Sequence, residues 1–229
     1  MKKILFMLLI SFLSAQSLFA KKDIKIYKSI EFKDIKYLSK YEIIDKVDLS
    51  IKEKSIIIDI NSLENVLNNH PMINTFKLTE SNQTLSISIV ENQPIFLLSI
   101  RDGEKNIPVE IGKDFNIVSV GRFHAPDKPV IVISREDVKS NMISARLKRF
   151  LNLLSGLNKS GLSVIKEITE IDCTDFLNIK LLLRGRRTVF IVRPDKDNFN
   201  KLNYAAGYFD RIKYYPHTFS ILNGAGILK

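Results

Sequence analysis

Three histidines (His70, His124 and His217), one cysteine (Cys173) and scattered carboxylates are the side chains of this 229-residue sequence suited to nucleophilic, metal or acid–base chemistry. Their spacing assembles no recognisable catalytic constellation. The histidines lie too far apart for a local metal motif, and a single Cys excludes both an intramolecular disulfide and a Cys-only zinc site. There is no Gly-x-Ser-x-Gly elbow, His-Glu-x-x-His helix or Gly-x-Gly-x-x-Gly turn, and Gly156–Ser160 lacks the Gly that a phosphate loop needs before its Lys-Ser pair. Asp172 and Asp175, the best acidic pair, flank Cys173 and read as turn acids beside a small core residue. His70, ahead of Pro71, is placed to meet a helix dipole. The expectation is a non-enzyme with no catalytic residue, no metal and no cofactor.

Binding chemistry is more visible. Arg184-Gly185-Arg186-Arg187 gathers positive charge at a hairpin tip, either as a solvated turn or as a contact for lipid headgroups or an acidic partner. Tyr204, Tyr208, Tyr214 and Tyr215 give the last helix an aromatic surface, which serves an interface or merely covers a sheet. The segment Thr218, Phe219, Ser220, Ile221 and Leu222 reads as a closing strand whose unpaired amides and carbonyls invite β-augmentation. These nine residues are the candidate partner-binding set, with Thr218–Leu222 accepting a partner strand and Ser220→Pro expected to abolish capture without unfolding.

The elements that must position them follow from periodicity. Ile24, Ile26, Ile30 and Phe32 alternate with polar residues as one half-buried strand. Ser39 with Glu42 forms a capping box for a helix through Val47, and Asn61 or Ser62 caps a second helix from Leu63 to Asn69, stopped by Pro71. Strands 72–78 and 84–90 follow, joined by residues 79–83, so the first part runs strand, helix, helix, strand, strand. Beyond Pro94 a meander is expected over 95–101, 107–111 and 115–120, then strand 130–133 and an amphipathic helix from Glu136 to Leu157 carrying Val138, Met142, Leu147, Phe150, Leu151 and Leu154 on one stripe. Strands 165–172, 177–184 and 188–193, a helix over 198–214 and a closing segment of 218–222, Asn223-Gly224 and 225–228 complete an α+β reading.

The N-terminus sets the compartment. Met1-Lys2-Lys3, the uncharged run from Ile4 to Ala20 and then Lys21-Lys22 read as an export signal. At 1.5 Å per residue that run makes a helix of roughly 26 Å, marginal against a hydrocarbon core of about 30 Å, so an anchor and a cleaved signal both fit. Either way residues 21–229 lie outside the cytoplasm. The net charge of +10 favours anionic partners, although abundant Lys, Ile and Asn leave a compositional origin open. Export excludes nucleic acid, and no small-molecule substrate is expected.

The order and spacing of these segments resemble the bacterial cell-division family FtsQ/DivIB. Residues 27–95 are similar to its POTRA domain, most specifically Leu85-Ser86-Ile87-Ser88-Ile89-Val90-Glu91-Asn92-Gln93-Pro94, which matches the family's Leu-x-Ile-x-Val-x-Glu-x-x-Pro ending with Ile89 in the Val place. His70-Pro71-Met72-Ile73 stands where the family has Pro-aromatic-Val, Gly112 and Lys128-Pro129-Val130 resemble its short strand, turn and Leu-Pro-Val segment, and Lys201-Leu202 with Phe219-Ser220-Ile221-Leu222 its last helix and strand. The chain departs from the family at Asn92, at Ser220 and in having only Met1–Lys3 before the apolar run. The resemblance implies a membrane anchor or signal over 1–20, a linker over 21–26, a POTRA domain (β-α-α-β-β) over 27–95, and a mixed-sheet domain with two longer helices over 96–229. It also implies a single-pass protein of the inner membrane, held there by residues 4–20, which assembles the septum by binding other membrane-anchored division proteins, small coiled-coil ones among them. The rival expectations are a cleaved, soluble periplasmic POTRA adaptor in outer-membrane assembly or secretion, and an enzyme of cell-wall polymer.

Overall fold

The computed structural model describes residues 22–125, 127–139, 142–222 and 225–228; the N-terminal apolar run and residues 223–224 lie outside the described residues. The chain is α+β and divides into two compact units, one ending at Glu91 and the next beginning at Asn92, four residues ahead of the boundary drawn from Pro94. No helix among the described residues is long and apolar enough to cross a membrane.

In the first unit the expected opening strand is two strands, β1 (Ile24–Tyr27) and β2 (Ser29–Lys33), which belong to different sheets. The alternation is continuous through both, so periodicity alone hides the break at Lys28, whose N–H donates to the Gln83 carbonyl at 2.7 Å. After β2 come α1 (Lys40–Ile44), β3 (Leu49–Lys52), β4 (Ser55–Asp59), α2 (Ile60–Asn69), β5 (Ile73–Ser81) and β6 (Thr84–Glu91). One sheet has the order β2-β6-β5, with β2 parallel and β5 antiparallel to β6. The other, β1-β4-β3, is antiparallel throughout. Leu85, Ile87 and Ile89 on one face of β6 are fully buried, as are Ile43, Leu63 and Leu67 of the two helices.

The capping box on α1 is present, the Ser39 N–H donating to Glu42 Oε1 at 3.0 Å. Helix α2 starts two to three residues earlier than expected because Asp59 is its cap, accepting from the Asn61 N–H at 3.1 Å. Ser62 turns away to accept from the Asp48 N–H. The expected loop 79–83 shrinks to two residues. Asn82 and Gln83 take φ of +49° and +62°, the paired left-handed geometry whose twist suits adjacent strands, so the ladder extends to Ser81 and Thr84. Glu91, at the end of β6, receives the backbone N–H groups of Lys36, Tyr37 and Leu38 at 2.8–3.1 Å and so fixes the approach to α1.

The second unit holds β7 (Phe96–Asp102), β8 (Lys105–Ile111), β9 (Ile117–Val120), β10 (Val130–Ser134), the short pair β11 (Val138–Lys139) and β12 (Met142–Ile143), α3 (Ala145–Lys159), α4 (Ser163–Glu167), β13 (Ile168–Asp172), β14 (Ile179–Leu183), β15 (Val189–Val192), α5 (Lys196–Ile212), β16 (Thr218–Leu222) and β17 (Ala225–Leu228). Nine described strands form one mixed sheet, ordered β17-β16-β15-β14-β13-β10-β7-β8-β9. Strand β10 is parallel to both β7 and β13, and β15 is parallel to β16. Parallel neighbours need a crossover; α3 and α5 supply two of them, and Leu147, Phe150 and Leu151 of α3 join Phe199, Leu202 and Phe209 of α5 in a single core with the sheet.

The helix expected from Glu136 begins instead at Ala145. Buried Asp137 accepts from Ser144 Oγ (2.7 Å) and from Arg146 Nε (2.6 Å), and Val138–Lys139 pairs with Met142–Ile143 as β11–β12. Met142 therefore leaves the apolar stripe and is exposed. The strand expected from Ile165 is preceded by α4, because Asn203 Oδ1 on α5 accepts from Ser163 Oγ and the Val164 N–H at its start. Glu91→Ala would orphan three amides and is expected to lower unfolding free energy by about 2 kcal/mol, with Glu91→Gln recovering part of it; urea melts of the two variants check this.

Candidate partner-binding face

Helix α5 is amphipathic. Asp195 caps it by accepting from the Asn198 N–H at 2.8 Å, and Lys213 ends it in left-handed geometry (φ +57°). Its inner face buries Phe199, Leu202, Ala206 and Phe209. Its outer face carries Tyr204, 77% exposed, and Tyr208 one turn later, 52% exposed, continued by Ile212. Tyr214 and Tyr215 are also exposed. The tyrosines therefore do not cover the sheet, and Phe209 does that work, 5.1 Å edge-to-face from Phe219 and 6.4 Å from Phe190 between ring centres.

The five candidates after the helix are placed differently from expectation. Thr218–Leu222 is strand β16, but its two edges are taken, by β15 in parallel register (Val189↔Thr218 to Val192↔Ile221) and by β17 in antiparallel register (Phe219↔Leu228 to Leu222↔Ala225). Ser220 and Ile221 are buried, and Phe219 and Thr218 are half-buried. These residues cannot accept a partner strand without losing β17, and Ser220→Pro would break an interior ladder rather than a free edge. Among the described residues the unpaired edge at this end of the sheet is that of β17. Its Gly226 is required by close approach, since a Cβ there would lie 2.7 Å from the Phe219 ring.

A cluster that local reading does not find holds α5 and β16 in place. Arg186, read as part of a charged tip, is only 9% exposed in its side chain. Its Nε donates to Asp210 Oδ1 at 3.1 Å and its other guanidinium nitrogens to Asp210 Oδ2 and Glu167. The Tyr215 hydroxyl donates to the same Asp210 carboxylate at 3.0 Å, and the Thr188 hydroxyl donates to the Pro216 carbonyl at 2.6 Å. The hydrogen bonds from Arg186, and after them the one from Tyr215, hold the Asp210 carboxyl below its ordinary value, against the opposing effect of burial. Arg184 and Arg187 remain exposed, with Gly185 at φ +73° making the turn. The partners stand 19 and 24 residues from Arg186, so no short motif announces them.

Asp172, Asp175, Cys173, His70 and His124 sit in structural settings, and the His217 side chain is exposed. Asp172 accepts from Thr174, and Asp175 from the Leu177 N–H and Asn178, while burial pushes the Cys173 thiol up and makes it unreactive at neutral pH. His70 caps α2, and its Nδ1 accepts from the Met72 N–H. Glu110, fully buried, accepts from the backbone N–H groups of His124 and Ala125 and contacts His124 Nδ1, pinning that loop. Among the described residues no group of three His, Cys, Asp or Glu is disposed to hold a metal.

Charge is divided unevenly. Residues 22–91 carry 10 Lys and no Arg against 11 acids, whereas residues 92–229 carry 22 Lys plus Arg against 14 acids. A compositional bias alone would spread the excess along the chain; instead the second unit holds it. No family model matches the chain, and no curated protein is similar to it in sequence.

Because Asp210 titrates lower folded than unfolded, its stabilisation is complete above about pH 4 and is lost as pH falls through the folded value. The stability gap between the natural chain and Asp210→Asn should therefore be constant at pH 6–8 and shrink below about pH 4. Arg186→Met should cost about 2 kcal/mol at neutral pH. Urea melts across pH test both.

Proposed function

We propose that this protein is a non-enzymatic scaffold of septum assembly on the outer face of the cytoplasmic membrane, held by residues 4–20. The first unit is a POTRA domain: β2, α1, α2, β5 and β6 follow the strand, helix, helix, strand, strand order, with the unexpected strands β3 and β4 inserted between the helices, and the mixed β2-β6-β5 sheet supports that assignment. Glu91 and its clasp on residues 36–38 give a physical reason for the acid in the Leu-x-Ile-x-Val-x-Glu run. The second unit captures small membrane-anchored coiled-coil division proteins.

The observation that carries this reading is the exposed Tyr204–Tyr208–Ile212 stripe on α5, in the same unit as the unpaired β17 edge. Tyrosine pairs a rigid apolar ring with a hydrogen-bonding tip, which suits a surface covered only on binding. An extended segment of the partner adding to β17 would contribute backbone hydrogen bonds, and the tyrosine stripe would contribute selectivity. Relative to the sequence-based expectation, the receiving edge moves outward by one strand, from Thr218–Leu222 to Ala225–Leu228.

A fluorescent fusion of the full chain should concentrate at the division site, and depletion should give undivided cells; uniform distribution with normal division would overturn the proposal. The chain should resist an alkaline wash of membranes with Met1 intact, whereas a soluble chain starting near Lys21 would favour the periplasmic adaptor. Tyr204→Ala with Tyr208→Ala removes two exposed rings, so it should leave the thermal melt within about 1 kcal/mol of the natural chain while abolishing site-specific photocrosslinks from position 212.

A further inference from the structure

The second unit contains a cleft of about 310 Å³ at the end of the sheet where β10 and β13 begin, walled by the last turns of α3 and by α4. Its floor is aliphatic: Ile131, Ile168, Ile171 and Leu154 line it, and all are buried. Its polar lining has a sign. Lys128, Lys166 and Arg184 contribute to the cleft against the single acid Asp127, and Lys166 and Arg184 are exposed. None of these three cations has an ion-pair partner among the described residues, in contrast to Arg146 and Arg186, which are both engaged. Cations left unpaired around an apolar hollow, in the unit that holds the chain's excess positive charge, define a complementary shape: an apolar body with an anionic end.

We propose that this cleft binds a single-chain aliphatic carboxylate. At ~30 Å³ for a water- or methylene-sized group, the cleft takes roughly ten such groups, a size at the small end of ligand pockets. The chain lies against Ile131, Ile168 and Ile171, where each methylene removed from water adds to affinity, and the carboxylate meets Lys128, Lys166 and Arg184. An uncharged chain of the same length gains only the first of these contributions and a short carboxylate only the second. The exposed cations make the second contribution sensitive to salt. This site does not depend on the division reading.

The test is a titration of the full chain, carrying 13C-labelled isoleucine methyl groups, with decanoate, decanol and acetate. Decanoate should produce saturable shifts at Ile131, Ile168 and Ile171, with decanol and acetate each at least tenfold weaker. The surface pair Lys166→Glu with Arg184→Glu should weaken decanoate at least tenfold and leave decanol unchanged. Ser155→Trp, which fills the cleft from half-buried Ser155 on α3, should remove both, with unchanged methyl signals elsewhere reporting an intact fold. Absence of shifts at these three methyl groups, equal binding of decanoate and decanol, or decanoate binding indifferent to both variants would overturn the proposal.

Discussion

The guanidinium of Arg186 is the point on which the second unit's outer half depends. It lies at the turn between β14 and β15 and reaches Glu167 at the end of α4 and Asp210 near the end of α5. Three segments distant in sequence are thereby brought to one forked donor with a fixed geometry. Asp210, so held, orients Tyr215, and the neighbouring Thr188 hydroxyl secures Pro216 at the entry to β16. The C-terminal end of α5 and the start of β16 are thus set by charge-assisted and buried hydrogen bonds, while Phe190, Phe209 and Phe219 fill the space beneath. Exposed rings on α5 keep a defined direction because the opposite face of the helix has no freedom to roll.

Legibility of the fold tracks the range of the interactions that decide it. Strand β6 and the capping box of α1 are visible in sequence because partners lie two or three residues apart, and the alternation of Leu85, Ile87 and Ile89 states which face is inside. The start of α3 is not visible, because Asp137 and Arg146 are nine residues apart and their pairing converts one turn of apparent helix into a short strand pair. Helix α4 is hidden for the same reason, its capping group Asn203 being 39–40 residues away. The break between β1 and β2 is masked by a period-two pattern that two sheets share. Of the binding candidates, the tyrosines are legible because helical spacing alone sets Tyr204 and Tyr208 on one face. Thr218–Leu222 is misjudged as an edge because only the register with β17 reveals that it is interior.

Charge separates the two units more sharply than any motif does. The first is near neutral and ties many of its polar groups into local caps and clasps, Glu91 and Asp59 foremost. The second leaves Lys166, Arg184 and Arg187 exposed and Lys128 half-buried, while Arg146 and Arg186 are spent on structure. Uniform counting therefore conceals two populations of cations, and those without partners mark where an anionic molecule meets favourable potential.

The parallel placement of β10 between β7 and β13 has a consequence in time. Residues 97–101 can pair with 130–134 only once the latter have been made, their shared sheet gains β13 only when residues near 170 have been made, and β16 joins through a crossover later still. Non-local pairing of this kind closes slowly because the intervening loops must be ordered before the contacts reward them. During synthesis, which proceeds from the N-terminus, the first unit is complete while the second still lacks a margin. A chain released before residue 225 would present β16 as a bare template, and the short strand β17 is the cover that retires it.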